Sequence, residues 1–362
     1  MIGPIVVCTA MFVPQLAVAE PTLMRTPFGG TVPSVVVFKG TVYVLFGKDS
    51  NAFCTQSHDY GITFSPPVQV NHRPNSVTVG GERGPKALVT QDGTLHVLWL
   101  GDYRKGGGVW YTRSRDNGRT FEPERNLEDR PAGCDGAAIA GQGRRLFAFW
   151  LDTRGGEDSQ NPVTGTLVMA TSADGGMSWS PTQEVRYDFP GRPCACCRLE
   201  AKVGPGDIVT VVFRTGYHNI RDFYMLRATP SELPRMACRR VSTDEWRLEG
   251  CPMMGASLVA HIGGSAIIAW MARGRVYWRW VLPHGRIGDA VPVPGAGIQR
   301  YPTFVDLGSG KQVLLWREAE RICWVEIAKG AQASQRRGTL PSRGSNAFGA
   351  FVDPRGRIVI VD

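Results

Sequence analysis

The chain has 362 residues and a formal net charge of +9, and 43% of its residues are hydrophobic. A chain of this length accommodates two ordinary domains or one closed repeat structure, so length does not decide between them. The excess of positive charge favours acidic partners such as carboxylated sugars or other anionic small ligands. The arginines are scattered without a basic helix, zinc-finger spacing or an aromatic-interleaved RNA motif, so the sequence argues against a nucleic-acid partner.

The N-terminal residues have the pattern of an export signal. Residues 1–19 carry no charge, contain an apolar run from Ile5 to Val18 and end in Ala19 before Glu20. This pattern is typical of a signal peptide with a small-residue cleavage site, although no Lys or Arg precedes the apolar run. No later segment reaches the length of a transmembrane helix. The sequence therefore predicts a periplasmic or secreted protein without a membrane span, in which residues 20–362 form a single domain.

A short polar motif occurs three times along the chain at nearly even spacing. The copies begin at Ser57, Ser114 and Ser172, which are 57 and 58 positions apart. The residues at matching offsets are Ser57, Asp59, Gly61, Thr63 and Phe64; Ser114, Asp116, Gly118, Thr120 and Phe121; and Ser172, Asp174, Gly176, Ser178 and Trp179. An Asp in such a turn folds its carboxylate back onto backbone N–H groups, and the Gly adopts a positive φ. Self-similarity at a period of about fifty predicts a solenoid or a propeller.

These copies resemble the Asp-box, or BNR repeat, of the sialidase (neuraminidase) superfamily, and the resemblance implies an all-β, sialidase-like β-propeller of six blades. The strand pattern gives a slightly different count. Pairs of short apolar strands begin near Val32, Pro85, Gly136, Leu199, Ala256, Tyr301 and Ala347. The first six repeats fit four-stranded blades, and the seventh stops after two strands. We therefore expect six full blades, and a smaller seventh that pairs with residues near Thr22 to Thr26 to close the ring. The sequence leaves open whether the ring has six blades or seven.

The resemblance also implies a catalytic site. Sialidases differ from most glycosidases in using a Tyr nucleophile. A nearby Glu activates that Tyr and an Asp acts as general acid, while three arginines bind the substrate carboxylate with their planar guanidinium groups. Matched position by position, the pattern assigns the nucleophile to Tyr301, its partner to Glu200 and the acid to Asp49.

The arginines match the family less completely. Arg214 and Arg273 follow the second strands of the fourth and fifth repeats, where the family has two of its three arginines. Thr31 stands where the first is expected, so that arginine is missing. The remaining candidates for binding an acidic sugar are Arg83, Arg317 and Arg221. Arg221 is equally suited to pairing with the Asp that follows it and ordering its own loop.

A second constellation consists of soft sulfur donors. In a propeller the loops that lead into the first strands lie on one face, together with the loops that leave the second strands. The loops leading into the third, fourth and fifth repeats carry Cys134, Cys194, Cys196, Cys197, Cys251 and Met254. Thiolates and thioethers select Cu(I) or another soft metal. Disulfides are the alternative, because neighbouring thiols in an exported protein usually oxidise, and the adjacent Cys196 and Cys197 each need another partner.

Two functions therefore follow from the sequence. The first is recognition, extending to hydrolysis, of an acidic glycan, and it requires no cofactor. The second is a non-catalytic propeller that binds copper or a partner protein through its cysteine- and methionine-rich face. A purely structural scaffold is the third alternative, and the sequence leaves all three open.

Overall fold

The structure is a computed structural model that describes residues 20–128, 133–153, 164–261, 264–283, 286–308, 310–328 and 333–362. The expected signal peptide, residues 1–19, lies outside this part of the chain. The regular structure is almost entirely β, with single 3-10 turns at Pro27–Gly29, Tyr103–Lys105 and Tyr217–Asn219. No helix among the described residues is long and apolar enough to cross a membrane.

Seven sheets follow one another along the chain, and each forms one blade. Blades one to three consist of β2 (Thr31–Phe38), β3 (Thr41–Lys48), β4 (Asn51–Ser57) and β5 (Val68–Gln69); β6 (Lys86–Val89), β7 (Leu95–Leu100), β8 (Val109–Ser114) and β9 (Arg125–Asn126); and β10 (Cys134–Gln142), β11 (Arg145–Asp152), β12 (Thr166–Ser172) and β13 (Gln183–Glu184). Blades four to six consist of β14 (Glu200–Gly204), β15 (Ile208–Arg214), β16 (Phe223–Ala228) and β17 (Ala237–Arg240); β18 (Ser257–Ala260), β19 (Ala266–Ala272), β20 (Arg275–Val281) and β21 (Val291–Pro292); and β22 (Gln299–Asp306), β23 (Lys311–Glu318), β24 (Arg321–Ala328) and β25 (Ala333–Pro341). Blade seven consists of β26 (Gly349–Val352), β27 (Ile358–Val361) and β1 (Thr22–Met24).

The blades form a closed ring. Their first strands contact one another in a single cycle, from β2 through β6, β10, β14, β18 and β22 to β26 and back to β2. The propeller therefore has seven blades, which corrects the six implied by the family resemblance and makes the smaller seventh a full member of the ring.

The two ends of the described chain meet in blade seven. β1 pairs in parallel with β27, as the sequence predicted for the segment near Thr22 to Thr26. The Thr26 N–H donates to the Asp362 carbonyl at 2.7 Å, and the Asp362 N–H donates to the Met24 carbonyl at 3.0 Å. Backbone hydrogen bonds thus join the first and last described strands, and the ring closes without a free sheet edge between them.

The core lies between neighbouring blades. Every residue of β7 and β19 is buried, and β19 is an uninterrupted apolar strand covered on both faces. Tryptophans near the ends of second strands, among them Trp99, Trp150 and Trp270, are buried between blades as the sequence indicated. Truncation of such a side chain to Ala typically costs about 3–5 kcal/mol. This interblade packing holds the inner strands in place around the axis.

The three polar motif copies form turns with the same hydrogen bonds. In the first, the Ser57 hydroxyl donates to Asp59 at 2.7 Å, and Asp59 accepts the backbone N–H and the hydroxyl of Thr63 at 2.8 and 2.6 Å. The corresponding bonds recur in the second and third copies. The Gly of each turn has a positive φ, 93° at Gly61. Because the turns follow third strands, they lie on the face opposite the loops that lead into the first strands.

Candidate functional site

A central cavity of about 470 Å³ lies on the axis of the ring. All seven blades contribute lining residues from their first strands or from the loops leading into them. Its ionisable lining residues are Glu82, Lys86, Arg198, Glu200, Lys202, Tyr301 and Asp306. The cavity therefore combines carboxylates, cations and a phenol within a space of small-ligand size.

An ion-pair network centred on Arg198 crosses the cavity wall between blades two and four. Arg198 Nε lies 3.2 Å from Glu82 Oε1, and a second guanidinium nitrogen bonds Glu200. Lys202 Nζ lies 3.2 Å from the other carboxylate oxygen of Glu200. Desolvation raises the pKa of Glu200, but Lys202 and Arg198 outweigh it, so the net shift is downward. The Glu200 carboxylate is thus held ionised.

Lys86 is a cavity cation whose charge changes close to neutral pH. Its Nζ donates to the Glu82 carbonyl at 2.9 Å. Desolvation and the nearby Arg198 lower the pKa of Lys86 to about 8, against the smaller opposing effect of Glu82 and Glu200. Lys86 therefore carries its positive charge near neutral pH and loses it in mild alkali.

Tyr301 reaches the cavity from a strained backbone position. It is 8% exposed and has φ 55°, at a bulge between Arg300 and Thr303 in β22. A bulky residue with positive φ is an outlier, and such outliers concentrate at functional sites. Desolvation and the charge of Glu82 raise the pKa of the Tyr301 phenol. The phenol is therefore neutral at physiological pH and needs a base to act as a nucleophile.

The carboxylate coupled to Tyr301 differs from the one that the family pattern suggested. Glu200 lines the same cavity, but its bonds go to Arg198 and Lys202. Glu82 is the carboxylate whose charge acts on Tyr301. It is 6% exposed and accepts the Gly255 N–H at 2.6 Å. Glu82 was not predicted from the sequence because it lies in an irregular loop before β6, outside any repeated pattern.

Two of the predicted arginines are buried in the scaffold. Arg214 is 1% exposed and donates to the carbonyls of Met254, Arg221 and Met271 at 3.3, 2.9 and 2.8 Å. Arg317 is 4% exposed and bonds the Ser342 hydroxyl, the Asn346 carbonyl and the Asp362 carboxylate. Neither lines the cavity, so their assignment to substrate carboxylate binding is corrected. The position of each arginine in its strand predicts which blade it belongs to, but the packing between blades determines where its guanidinium group points.

The other predicted polar residues also lie outside the cavity lining. Arg83 bonds both carboxylate oxygens of Asp135, and Arg221 donates to the Leu248 carbonyl. The remaining three lie at the margins of their strands: Arg273 donates to the Asp244 carbonyl, Asp49 is exposed in the β3–β4 turn, and Thr31 begins β2. The expected arginine trio is therefore not assembled, and the arginine that lines the cavity among the described residues is Arg198, which the sequence analysis missed.

Four cysteines gather beside the cavity, between blades four and five. The sulfur of Cys251 lies 3.3 Å from that of Cys194 and 3.4 Å from that of Cys197, and the latter two are 3.7 Å apart. Cys251 is also disulfide-bonded to Cys196. The Cys196–Cys251 disulfide and the free thiols of Cys194 and Cys197 therefore lie together at one position. We refer to Cys194, Cys196, Cys197 and Cys251 as the thiol cluster.

Two predicted sulfur donors have other partners. Cys134 Sγ donates to Glu128 Oε2 at 3.3 Å, at the start of β10. The Met254 sulfur accepts the Tyr301 N–H at 3.4 Å, so it contacts the backbone of a cavity-lining residue. Both are thus placed differently from the group of Cys194, Cys197 and Cys251, whose sulfurs lie within 4.8 Å of one another.

Comparison with protein-family models gives no match, and comparison with curated proteins gives none. Solved structures do match. An ulvan lyase bound to a GlcA-containing fragment has a TM-score of 0.57 at 12% identity, covering 92% of this chain and 88% of that chain. The α-L-arabinanase of Penicillium chrysogenum, complexed with arabinobiose, has a TM-score of 0.54 at 14% identity and coverages of 89% and 97%.

A sialidase is also among the similar structures. The NanB sialidase of Streptococcus pneumoniae has a TM-score of 0.50 at 11% identity, covering 83% of this chain and 67% of that chain. Similar structures thus include enzymes that act on glycans and a fucose-binding lectin, and another is a protein of unknown function from Dyadobacter fermentans. At these identities the likeness shows the propeller fold alone.

Proposed function

We propose that this protein binds a carbohydrate in its central cavity, and that the ligand is an acidic sugar. The observation that carries the proposal is the convergence of Tyr301, three carboxylates, two lysines and Arg198 on one axial cavity. Its volume of about 470 Å³ lies within the range of small-ligand sites. The glycans bound or processed by the structural neighbours support the ligand class.

The chemistry of the lining residues fits the parts of an acidic sugar. Carboxylates such as Glu82 and Glu200 accept hydrogen bonds from sugar hydroxyls, and these charge-assisted bonds are the stronger ones. Lys86 and Lys202 supply cations for the sugar carboxylate. The Tyr301 ring offers an apolar face with a polar hydroxyl. The site thus recognises hydroxyls and a negative group together.

Binding is tested by titration calorimetry with a sialyllactose and with lactose as the neutral comparison. Lys86→Met is expected to weaken sialyllactose binding about tenfold, through loss of a charged hydrogen bond worth about 1.5 kcal/mol. The control is Lys105→Met, which removes the same charge from an exposed 3-10 turn. Equal binding of both sugars, or equal effects of both substitutions, contradicts an acidic ligand held by Lys86.

The finer proposal is hydrolysis with Tyr301 as nucleophile. Glu82 is its charged neighbour and Glu200 lines the same cavity, so either carboxylate is a candidate base. Turnover is tested with a fluorogenic sialoside. Tyr301→Phe is expected to keep sialyllactose binding and to lower the rate at least about 100-fold, because the nucleophilic oxygen is removed. Equal rates for both proteins, or no turnover by either, would contradict a Tyr301 nucleophile. The protein would then bind the sugar without this catalytic step.

We further propose that the protein is exported. The support is the apolar, uncharged stretch of residues 1–19, which ends in a small-residue site. Expression in a bacterial host followed by N-terminal sequencing of the periplasmic protein is expected to give Glu20 as the first residue. Retention of Met1 on cytoplasmic protein contradicts export.

A further inference from the structure

We propose that Cys194, Cys197 and Cys251 bind one thiophilic metal ion, Cu(I) or Zn(II), at a site separate from the carbohydrate cavity. The three residues come from two loops, one leading into β14 and the other into β18. Their sulfurs lie 3.3–3.7 Å apart. The site goes beyond the proposed function, which needs no metal.

The spacing of the three sulfurs suits a thiolate-bound cation. The point equidistant from them lies about 2.0 Å from each sulfur. A zinc–thiolate bond is about 2.3 Å long, so the ion fits about 1 Å above the plane of the sulfurs, as in a tetrahedral site with three ligands below it. Cys194 and Cys197 also have the C-x-x-C spacing that recurs in thiolate metal sites.

Backbone N–H groups are directed at each of the three sulfurs. The Met253 N–H donates to Cys251 Sγ at 3.2 Å. The N–H groups of Cys196 and Met254 bond the sulfurs of Cys194 and Cys197. Metal-bound ligands usually carry such outer hydrogen bonds, which orient them and stabilise their negative charge. A packed cluster of neutral thiols has no comparable need for them.

Two buried guanidinium groups compensate the negative charge of a metal–thiolate centre. The charge of Arg214 acts on Cys194 and Cys197, and that of Arg221 acts on Cys194. Arg221 is 1% exposed, and its Nη1 has no hydrogen-bond acceptor among the described residues. A buried donor without an acceptor is costly unless it faces negative charge. Three thiolates around a cation provide that charge.

The metal-binding form requires Cys251 to be released from Cys196. A dithiol reductant supplies two electrons and two protons, so that the Cys196–Cys251 bond breaks, both residues become thiols and the reductant becomes a disulfide. A phosphine gives the same two thiols by taking the oxygen atom of a water molecule and becoming the phosphine oxide. Metal binding then releases the thiol protons of Cys194, Cys197 and Cys251 to solvent. Cys196, freed in the same step, becomes available as the fourth ligand. Access is from the surface, where Cys196 and the exposed Met253 line one cleft.

The test is an anaerobic metal titration of the full chain after reduction by a phosphine and removal of the phosphine. Cu(I) is titrated against bathocuproine disulfonate and Zn(II) against a zinc-binding dye. We expect one ion per chain for at least one metal. Cys197→Ser is expected to weaken binding at least about 100-fold, since even loss of an outer hydrogen bond costs about 10–100-fold. The control is Cys238→Ser, which removes a thiol of β17 and should leave binding unchanged.

A second measurement does not depend on the folding of a buried-cysteine variant. Reduced wild-type protein is alkylated with and without one equivalent of metal, and the modified cysteines are mapped by mass spectrometry. Metal is expected to protect Cys194, Cys197 and Cys251 at least tenfold and to leave Cys238 unchanged. Absence of binding by both metals, protection of other cysteines instead, or equal binding by the Cys197→Ser and Cys238→Ser proteins overturns the proposal. Sialyllactose binding by the Cys197→Ser protein separates this result from failure of the carbohydrate site.

Discussion

The contact between Arg317 and Asp362 gives a quantitative test of how the ring is held closed. Arg317 lies in β23 of blade six, and Asp362 directly follows β27 of blade seven. Their side chains are 5% and 9% exposed, and their charged groups are in direct contact. Asp362→Asn leaves the Arg317 guanidinium buried without its counter-ion. Removing one partner of a buried pair typically costs about 3–5 kcal/mol.

The remaining contacts of Arg317 place the expected loss at the lower end of that range. Its guanidinium keeps the Ser342 hydroxyl at 2.6 Å and the Asn346 carbonyl at 3.2 Å. We therefore expect Asp362→Asn to lower the free energy of unfolding by about 3 kcal/mol. Replacing both partners, with Arg317→Met added, should recover part of the loss, because the unpaired charge is then gone.

The measurement is equilibrium urea unfolding at pH 7, followed by circular dichroism and by tryptophan fluorescence. Coincident transitions justify a two-state free energy. The matched control is Asp207→Asn, which removes the partner of Arg145 from an exposed pair with side chains 48% and 40% exposed. Such a pair contributes about 0–1 kcal/mol. Equal and small losses for both Asn variants, or a double variant less stable than Asp362→Asn, would refute the role assigned to the buried pair.

Three further predictions follow from buried or constrained groups. Burial lowers the pKa of His96 to about 4, whereas an unfolded His titrates near 6.5. The unfolded state then binds more protons between these values, so stability should fall as pH drops from about 6.5 to 4, and His96→Gln should flatten the slope measured by urea unfolding. Gly176→Ala places a methyl group against the Tyr111 hydroxyl at φ 79°, and should cost at least about 1–3 kcal/mol in urea unfolding. Gly175→Ala is the control, because Gly175 has φ 73° but open space around its Cβ. It measures the cost of a positive φ without the steric clash, and should therefore destabilise the protein less. Sialyllactose binding should weaken as pH rises through about 8, because Lys86 loses its proton there, and this pH dependence should vanish in Lys86→Met.

The fold was predictable because its signals are local and repeated. The turn around Asp59 needs only residues within the motif, so three copies are visible in the sequence alone. The pairing of β1 with β27 was also predicted, since blade seven has only two consecutive strands. The number of blades was harder to predict, because the family resemblance and the strand count disagreed, and only the closed cycle of inner strands decides between them.

The site was predictable in position but not in detail. Glu200 begins an inner strand and Tyr301 is the third residue of another, so the propeller topology alone brings them to the axis. Arg214 also has the expected strand position, and Arg317 was a candidate from a neighbouring loop, but each is bound inside the scaffold by groups far apart in sequence. Which partner satisfies a long side chain depends on packing between blades, and a single sequence does not record that packing.

The inner-strand bulges link the strain at Tyr301 to the cavity. The same bulge occurs in blades one, three and six, with positive φ at Val32, Gly136 and Tyr301. At Gly136 a Cβ would lie 2.7 Å from the Cys197 carbonyl, so close packing requires glycine there. At Tyr301 the chain instead keeps a large side chain, although a strained residue costs about 1–3 kcal/mol. The cost is retained at two of the three equivalent bulges, at Val32 and Tyr301, and both residues line the central cavity, which argues that the strained inner-strand positions shape that cavity.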